Sequence, residues 1–283
     1  IGGYLASQSL FNMLELQRRV PLWPMLKKRY LRLARPFWVA IASAVLLGWV
    51  AGKIALHDEV SGLPGFLQLL AHVFLLHDIT GMEALSAGVW YVAIDFQLFA
   101  VLLFLGWASQ KLGRVEIVQP AQALLLLASA MAVASLWWWN RNSGHDEWAL
   151  YFFGAYGLGV IACWAQRESK TVEGSALLLV VLGLALWIEW RERLLLTGLT
   201  ALVLMHSHRL ESVARLFAQG PVRWLGDISY SVFLIHYGVA VLASSVVIAI
   251  GVKGLAGNLL AFLSTWAISI AAGWLLYRWV ETR

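Results

Sequence analysis

The chain has 283 residues, of which 60% are hydrophobic and only 13% charged, and its mean hydropathy is +0.73. Charged residues make up about a quarter of an ordinary soluble domain, so this composition excludes one. The net charge of +5 would suit a nucleic-acid surface if the cations were clustered, but their distribution gives them another role.

Continuous apolar runs at 1–16, 37–51, 90–108, 121–139, 148–165, 174–190, 194–207, 229–250 and 256–277 each read as a helical span or part-span. A transmembrane β-barrel would show ~10-residue alternating segments instead. The expected fold is therefore an all-α polytopic membrane protein, with about nine spans or part-spans in one membrane-embedded domain over 1–283. A further run, 66–77, is too short to cross alone and reads as re-entrant or interfacial. The opening "IGGYLASQSLFNMLEL" has no initiator Met and is shorter than the ~20 residues of a comfortable span. It reads as a sequence whose first helix is missing, with ten spans expected in the complete protein.

Two connections are long, 17–36 and 52–88, and the second carries His57, Asp58, Glu59, His72, His77, Asp78 and Glu83. Alternating the spans from side to side puts sixteen of the 21 Lys and Arg residues on one face, and Lys53, Arg141, Arg191, Arg193 and Lys253 on the other. The positive-inside rule makes the richer face cytoplasmic. The basic excess thus orients the protein and leaves no case for nucleic acid. Among the sixteen tryptophans, Trp137, Trp138, Trp139, Trp187 and Trp190 fall near span ends, where aromatic belts sit. Cys163 is the single cysteine, so no intrachain disulfide is possible and nothing points to a thiolate site.

Four places could carry chemistry. Asp95 interrupts the apolar run "VWYVAIDFQLFAVLLFLGW", and an ionisable residue inside a span is a functional candidate that faces the bundle or a wet cavity. In "KKRYLRLARP", Arg29, Arg32 and Arg35 form a band along one side if the segment is helical; such a band either binds a phosphorylated ligand or contacts anionic lipid heads. In "GDISYSVFLIHYGV", Ser229 and His236 are seven apart and share a helix face, His236 acting as proton carrier or as a structural link between helices. In the closing "YRWVETR", Arg278 and Glu281 are three apart and read as a surface ion pair. No nucleophile elbow or phosphate loop is present. The spacings His72/His77 and His206/His208 lack the pattern and companions of a metal site, so no metal is expected.

Taken in order, these segments resemble the acyltransferase-three family of bacterial membrane-bound O-acyltransferases. "IGGYL" is similar to the end of that family's F-V-I-S-G-F/Y-L, with Gly2 where Ser is usual. "RYLRLARP" resembles its R-x-x-R motif closed by Pro, through Arg29, Arg32 and Pro36. "WYVAIDFQLF" resembles W-S-L-x-x-E-x-x-F, which puts Trp90, Asp95 and Phe99 on the Trp, Glu and Phe. "GDISYSVFLIH" is similar to G-x-I-S-Y-S-x-Y-L-x-H through Gly226, Ser229, Tyr230 and His236. "YRWVETR" resembles Y-R-x-x-E-x-P through Tyr277, Arg278 and Glu281, without the final Pro.

The resemblance implies a ten-helix, multi-pass protein of the bacterial inner membrane. It implies transfer of an acyl group, usually acetyl, from cytoplasmic acyl-CoA to a hydroxyl of a sugar or cell-envelope glycan. Arg29, Arg32 and Arg35 are then expected at the acyl-CoA phosphates, Trp90, Ser229 and Tyr230 along the substrate cavity, and Asp95 and His236 in supporting catalytic places. The family's principal histidine belongs to a first helix that this sequence does not contain. The residues alone also admit a transporter or flippase of a lipid-linked sugar with Asp95 and His236 as proton relay, although no internal repeat supports inverted halves, and a silent scaffold in envelope assembly. Release of free CoA that depends on an acceptor separates the enzyme from both.

Overall fold

In the computed structural model, residues 1–55, 62–113, 118–210, 215 and 219–282 are described. His57, Asp58, Glu59 and two of the cations assigned to the cytoplasmic face, Arg114 and Arg283, lie outside them. The described residues form ten α-helices and no strand. They are α1 (Gly2–Glu15), α2 (Leu22–Ile54), α3 (Phe66–Val73), α4 (Val89–Gly113), α5 (Pro120–Trp137), α6 (Ala149–Arg167) and α7 (Thr171–Ile188). After these come α8 (Glu192–Met205), α9 (Gly220–Ile250) and α10 (Gly254–Leu276), which runs into a π turn over Tyr277–Glu281.

Seven of these helices are long and apolar enough to cross a bilayer, so the chain is a multi-pass membrane protein. The nine apolar runs of the sequence fall on nine separate helices. Two of them, α1 and α8, have 14 residues each and are short of the ~20 needed for a full crossing. The short run at 66–77 holds the eight-residue α3. The segment 17–36, expected as a connection, is mostly helical, because α2 starts at Leu22 and continues without a break to Ile54. Pro36 lies inside it. A proline removes one i→i−4 hydrogen bond and favours a boundary just before it, yet spanning helices tolerate proline because neighbouring groups satisfy the freed carbonyl.

Helix ends follow local chemistry. Pro120 opens α5 at the first helical position, where a missing N–H leaves nothing unsatisfied. Gly251 closes α9 with φ 69°. Its N–H reaches Ile248 O at 3.1 Å and that of Val252 reaches Val247 O at 3.2 Å, the paired bonds of a left-handed C-terminal cap.

The chain divides into two compact units. The first comprises Ile1–Lys27 and Ile94–Arg215, with α6 at its centre. The apolar window of α6 is 72% buried, against 17–50% for the other crossing helices. Leu10, Phe11, Leu102, Phe153, Leu158 and Ile161 pack there as a shared core. Helix α1 lies so close to α6 that a methyl group at Gly3 would sit 2.0 Å from Tyr156 O, and one at Gly159 would sit 2.8 Å from Tyr4 N. With no hydrophobic drive between helices in lipid, such close backbone packing does the joining.

The second unit comprises Lys28–Ala93 and Leu216–Arg283. Helices α9 and α10 turn back on each other, with Gly273 pressed on Val232. Gly238 of α9 packs on Ala44 of α2, and Ser245 Oγ donates to Ala55 O at 3.0 Å. Helix α3 is tied to α2 by the Tyr30 O–H, which donates to Val73 O at 2.6 Å.

Candidate functional site

Most of the candidate residues belong to the second unit, and several are joined there. Tyr230 O–H donates to Leu33 O at 3.0 Å, which pins the "ISYS" stretch of α9 to the "RYLRLARP" stretch of α2. One residue on, the fully buried Ser231 donates from Oγ to Glu281 Oε2 at 2.7 Å. Glu281 therefore serves α9, and the ion pair with Arg278 expected from their spacing does not form: the Arg278 guanidinium lies over the Trp274 ring, 5.4 Å from its centroid. The π turn rotates these two side chains away from ordinary i,i+3 facing.

His236 is half-buried on α9. Its Nδ1 lies 2.7 Å from Phe233 O. A carbonyl can only accept, so Nδ1 carries the proton and, in the neutral ring, Nε2 carries the lone pair. The ring stands tilted at the end of a short aromatic chain whose other two contacts are edge-to-face. His236 lies 6.0 Å from Phe233, Phe233 lies 5.7 Å from Tyr91, and Tyr91 lies 6.1 Å from Trp90, all between centroids. Trp90 is 41% exposed.

A groove of about 710 Å3 runs between α9 and α10 past His236, with Ala240, Ser244, Asn258, Phe262 and Thr265 along its walls. On α9 it extends from Val232 to Ile248, roughly 24 Å at the helical rise per residue. Its size is that of a small-molecule site, which typically falls at ~300–1,000 Å3. Small side chains dominate it, and the hydroxyls of Thr265 and Ser269 bond back to carbonyls four residues earlier at 2.8 Å each. Among the described residues that line the groove, His236 is the titratable one. Ser229 is exposed and its Oγ donates to Gly226 O at 2.8 Å; sharing a helix face with His236 does not bring it to this groove.

The arginine band takes the helical form. Arg29 is half-buried on α2, whereas Arg32 and Arg35 are exposed, as the 300° advance over three residues dictates on a helix that buries one face. Asp95 belongs to the first unit. It is half-buried, and a methyl group at Gly2 would lie 3.6 Å from its Oδ1 and 3.1 Å from the Tyr156 ring. The structure thereby brings the opening "IGGYL" to the acidic position of α4. Phe99, on the same helix, is buried in the core of this unit.

Sequence reasoning missed three features. Ser231 drew no notice because a serine within an apolar helix carries no signal without its partner fifty residues away. His72 and His77 stack at 4.1 Å between ring centroids although neither matches a ligand motif. Arg191 and Arg193, seen as stray outer cations, both bond Asn140. Among the described residues no three His, Cys, Asp or Glu side chains converge as a metal-binding group.

A family model of an acyltransferase domain matches residues 1–278. Among characterised proteins, the peptidoglycan O-acetyltransferase OatA of Listeria monocytogenes serovar 1/2a is 22% identical over 285 aligned residues, which cover 87% of this chain and 44% of that protein. The chain thus spans less than half the length of the relative it matches. No solved structure matches.

Proposed function

Because the chain belongs to the acyltransferase family whose domain matches residues 1–278, we propose that it moves an acyl group, acetyl in the first instance, from acyl-CoA to a hydroxyl of a cell-envelope glycan across the bacterial inner membrane. The observation that carries this reading beyond family membership is His236, with its Nδ1–H fixed on Phe233 O and its ring on the wall of a groove of substrate size.

The donor side follows from charge. Arg29, Arg32 and Arg35 on α2 offer planar, permanently charged forks to the phosphates of acyl-CoA, on the face that the cation distribution makes cytoplasmic. The pantetheine arm enters the groove between α9 and α10. In the transfer, the acceptor oxygen forms its bond to the thioester carbonyl carbon, the C–S bond breaks, and the CoA thiolate takes up the proton that the hydroxyl gives away. His236 has a supporting part: its Nε2 lone pair accepts a hydrogen bond from a hydroxyl or amide N–H held in the groove and so fixes its orientation. Asp95, near the start of α4, has a supporting part at the position of the family's acidic residue, and Trp90 and Tyr230 hold the elements that border the groove. Tyr230 does so through Leu33 O, while the exposed Ser229 bonds within its own turn and lies off the groove. The glycan acceptor rests on the likeness to a peptidoglycan O-acetyltransferase.

The test is acceptor-dependent release of free CoA. Protein reconstituted in lipid nanodiscs is given acetyl-CoA with and without peptidoglycan fragments, and thiol appearance is followed together with O-acetyl ester on the glycan. Equal amounts of both products support the reading. Movement of a glycan precursor without thioester consumption sinks it.

A further inference from the structure

The same unit holds a second cavity. It lies between the C-terminal third of α2, the 62–63 segment and the middle of α9, with a volume of about 230 Å3. Drug-sized ligands occupy ~300–1,000 Å3, so this cavity has room for one ring rather than a chain of them. Its α2 wall is built by Ala44, Val45, Gly48, Trp49, Gly52 and Lys53, which recur at helical spacing and share one face. Tyr237 closes it from α9.

Three features of the wall point to a ligand class. Trp49 is 51% exposed and borders the cavity, offering an aromatic face to the C–H groups of a saturated ring. Lys53 Nζ lies over that indole, 5.8 Å from its centroid, so a cation stands at the aromatic platform. Two glycines leave the space open: a methyl group at either Gly48 or Gly62 would meet nothing within 4 Å. An interfacial Trp–Lys pair can also sit in headgroups, but here the pair borders a walled space. One wall is held in place from behind. Leu85 lines the cavity while its backbone N–H donates to Nε2 of the buried His72 at 3.1 Å.

We propose that this cavity is the acceptor subsite and takes a single pyranose-sized, polyhydroxylated ring carrying an anionic substituent. The ring stacks on Trp49, its anionic group pairs with Lys53, and the Tyr237 hydroxyl bonds a ring hydroxyl. The inference rests on the acyl-transfer reading for the word acceptor, and on the cavity alone for the sugar. The cation distribution places Lys53 on the outer face, where an envelope glycan is met.

Binding and turnover separate the two ideas. Methyl glucuronoside and methyl glucoside are the probes, read by saturation-transfer NMR on the full chain in nanodiscs. Wild type is expected to give signal with both. Gly48→Leu and Gly62→Leu, at two lining positions where an added Cβ meets nothing within 4 Å, are expected to bring both signals to background while the thermal unfolding midpoint is kept. Lys53→Gln is expected to weaken the glucuronoside alone, about tenfold, the equivalent of one charge-assisted hydrogen bond. Absence of signal in wild type, or undiminished signal in both leucine variants, overturns the subsite and leaves the cavity to lipid. If the leucine variants lose the probes while wild type releases no CoA, the acyl-transfer reading fails and the sugar site stands.

Discussion

The imidazoles of His72 and His77 lie stacked, 4.1 Å apart and 11° from parallel, at 1% and 0% exposure. The two rings differ in their bonding. His72 is held at both nitrogens, with Nδ1 on Gln68 O at 2.8 Å and Nε2 receiving the Leu85 N–H at 3.1 Å, which fixes the neutral tautomer. His77 has neither ring nitrogen in a hydrogen bond; its nearest charged neighbour is Asp78, with Oδ2 3.6 Å from Nε2.

Burial, reinforced by His72 beside it, lowers the His77 pKa to about 4. Asp78 at 3.6 Å would push the other way, but an imidazole sealed from water loses more in charged form than one imperfectly aligned carboxylate returns. In the unfolded chain His77 takes up its proton near pH 6.5, and in the fold only near 4. The unfolded state therefore binds more protons between those values. The stability contributed by neutral His77 is complete above about pH 6.5 and is lost as pH falls toward 4, by up to about 3 kcal/mol. Thermal unfolding of wild type in detergent is expected to show this fall. His77→Leu is expected to flatten it, and an equally steep profile in that variant would assign the acid sensitivity elsewhere.

Arg191 clamps two helix ends. It donates from Nη2 to Leu136 O at 3.0 Å and Ala185 O at 3.4 Å, and from Nη1 to Asn140 Oδ1 at 2.6 Å. The two carbonyls belong to the last turns of α5 and α7, where the helix dipoles favour a cation, and Ala185 O also accepts the Glu189 N–H at 3.1 Å. Arg191→Leu is expected to lower stability by roughly 2–3 kcal/mol. Arg191→Lys is expected to recover less than half of that, since an ammonium cannot reproduce the guanidinium fork. Unfolding midpoints of the two variants decide the matter; equal recovery would reduce the clamp to simple charge.

Gly3 marks the tightest approach between α1 and α6. A methyl group there would stand 2.0 Å from Tyr156 O, and a carbonyl in a helix cannot swing aside. Gly3→Ala must separate the two helices, an overpacking expected at about 1–3 kcal/mol. Because Gly2 and Asp95 lie on the same seam, acyl transfer is expected to fall as well. Gly48→Ala, where the added methyl group meets nothing within 4 Å, is the control for fold and should leave the unfolding midpoint unchanged.

The spanning helices were legible because bilayer crossing demands long apolar runs that no other architecture requires. The extension of α2 back to Leu22 was not, since Lys27, Lys28, Arg29 and Pro36 each read locally as the marks of a connection. The motifs "RYLRLARP" and "GDISYSVFLIH" could be picked out singly, but their joining through Tyr230 and Leu33 could not, being a contact across 197 positions. Glu281 shows the same limit in a sharper form. Spacing offered it Arg278, and the fold gave it Ser231 through a π turn that leaves no trace in composition.

The arginine band gives the most direct test of the donor side. On α2, Arg29 is half-buried and Arg32 and Arg35 are exposed. A phosphate held by a half-buried guanidinium is less screened than one met in water, so the three positions should not be equivalent. Arg29→Ala is expected to raise the KM for acetyl-CoA about tenfold, the loss of one charged hydrogen-bonding contact, with kcat little changed because the phosphates do not react. Arg32→Ala should act in the same direction but less, and Arg35→Ala least. Arg29→Lys is expected to restore only part of the effect, since a point charge does not reproduce a bidentate fork. Raising ionic strength should increase KM in wild type more than in Arg29→Ala. Unchanged KM values across all three alanine variants would return the band to contact with anionic lipid.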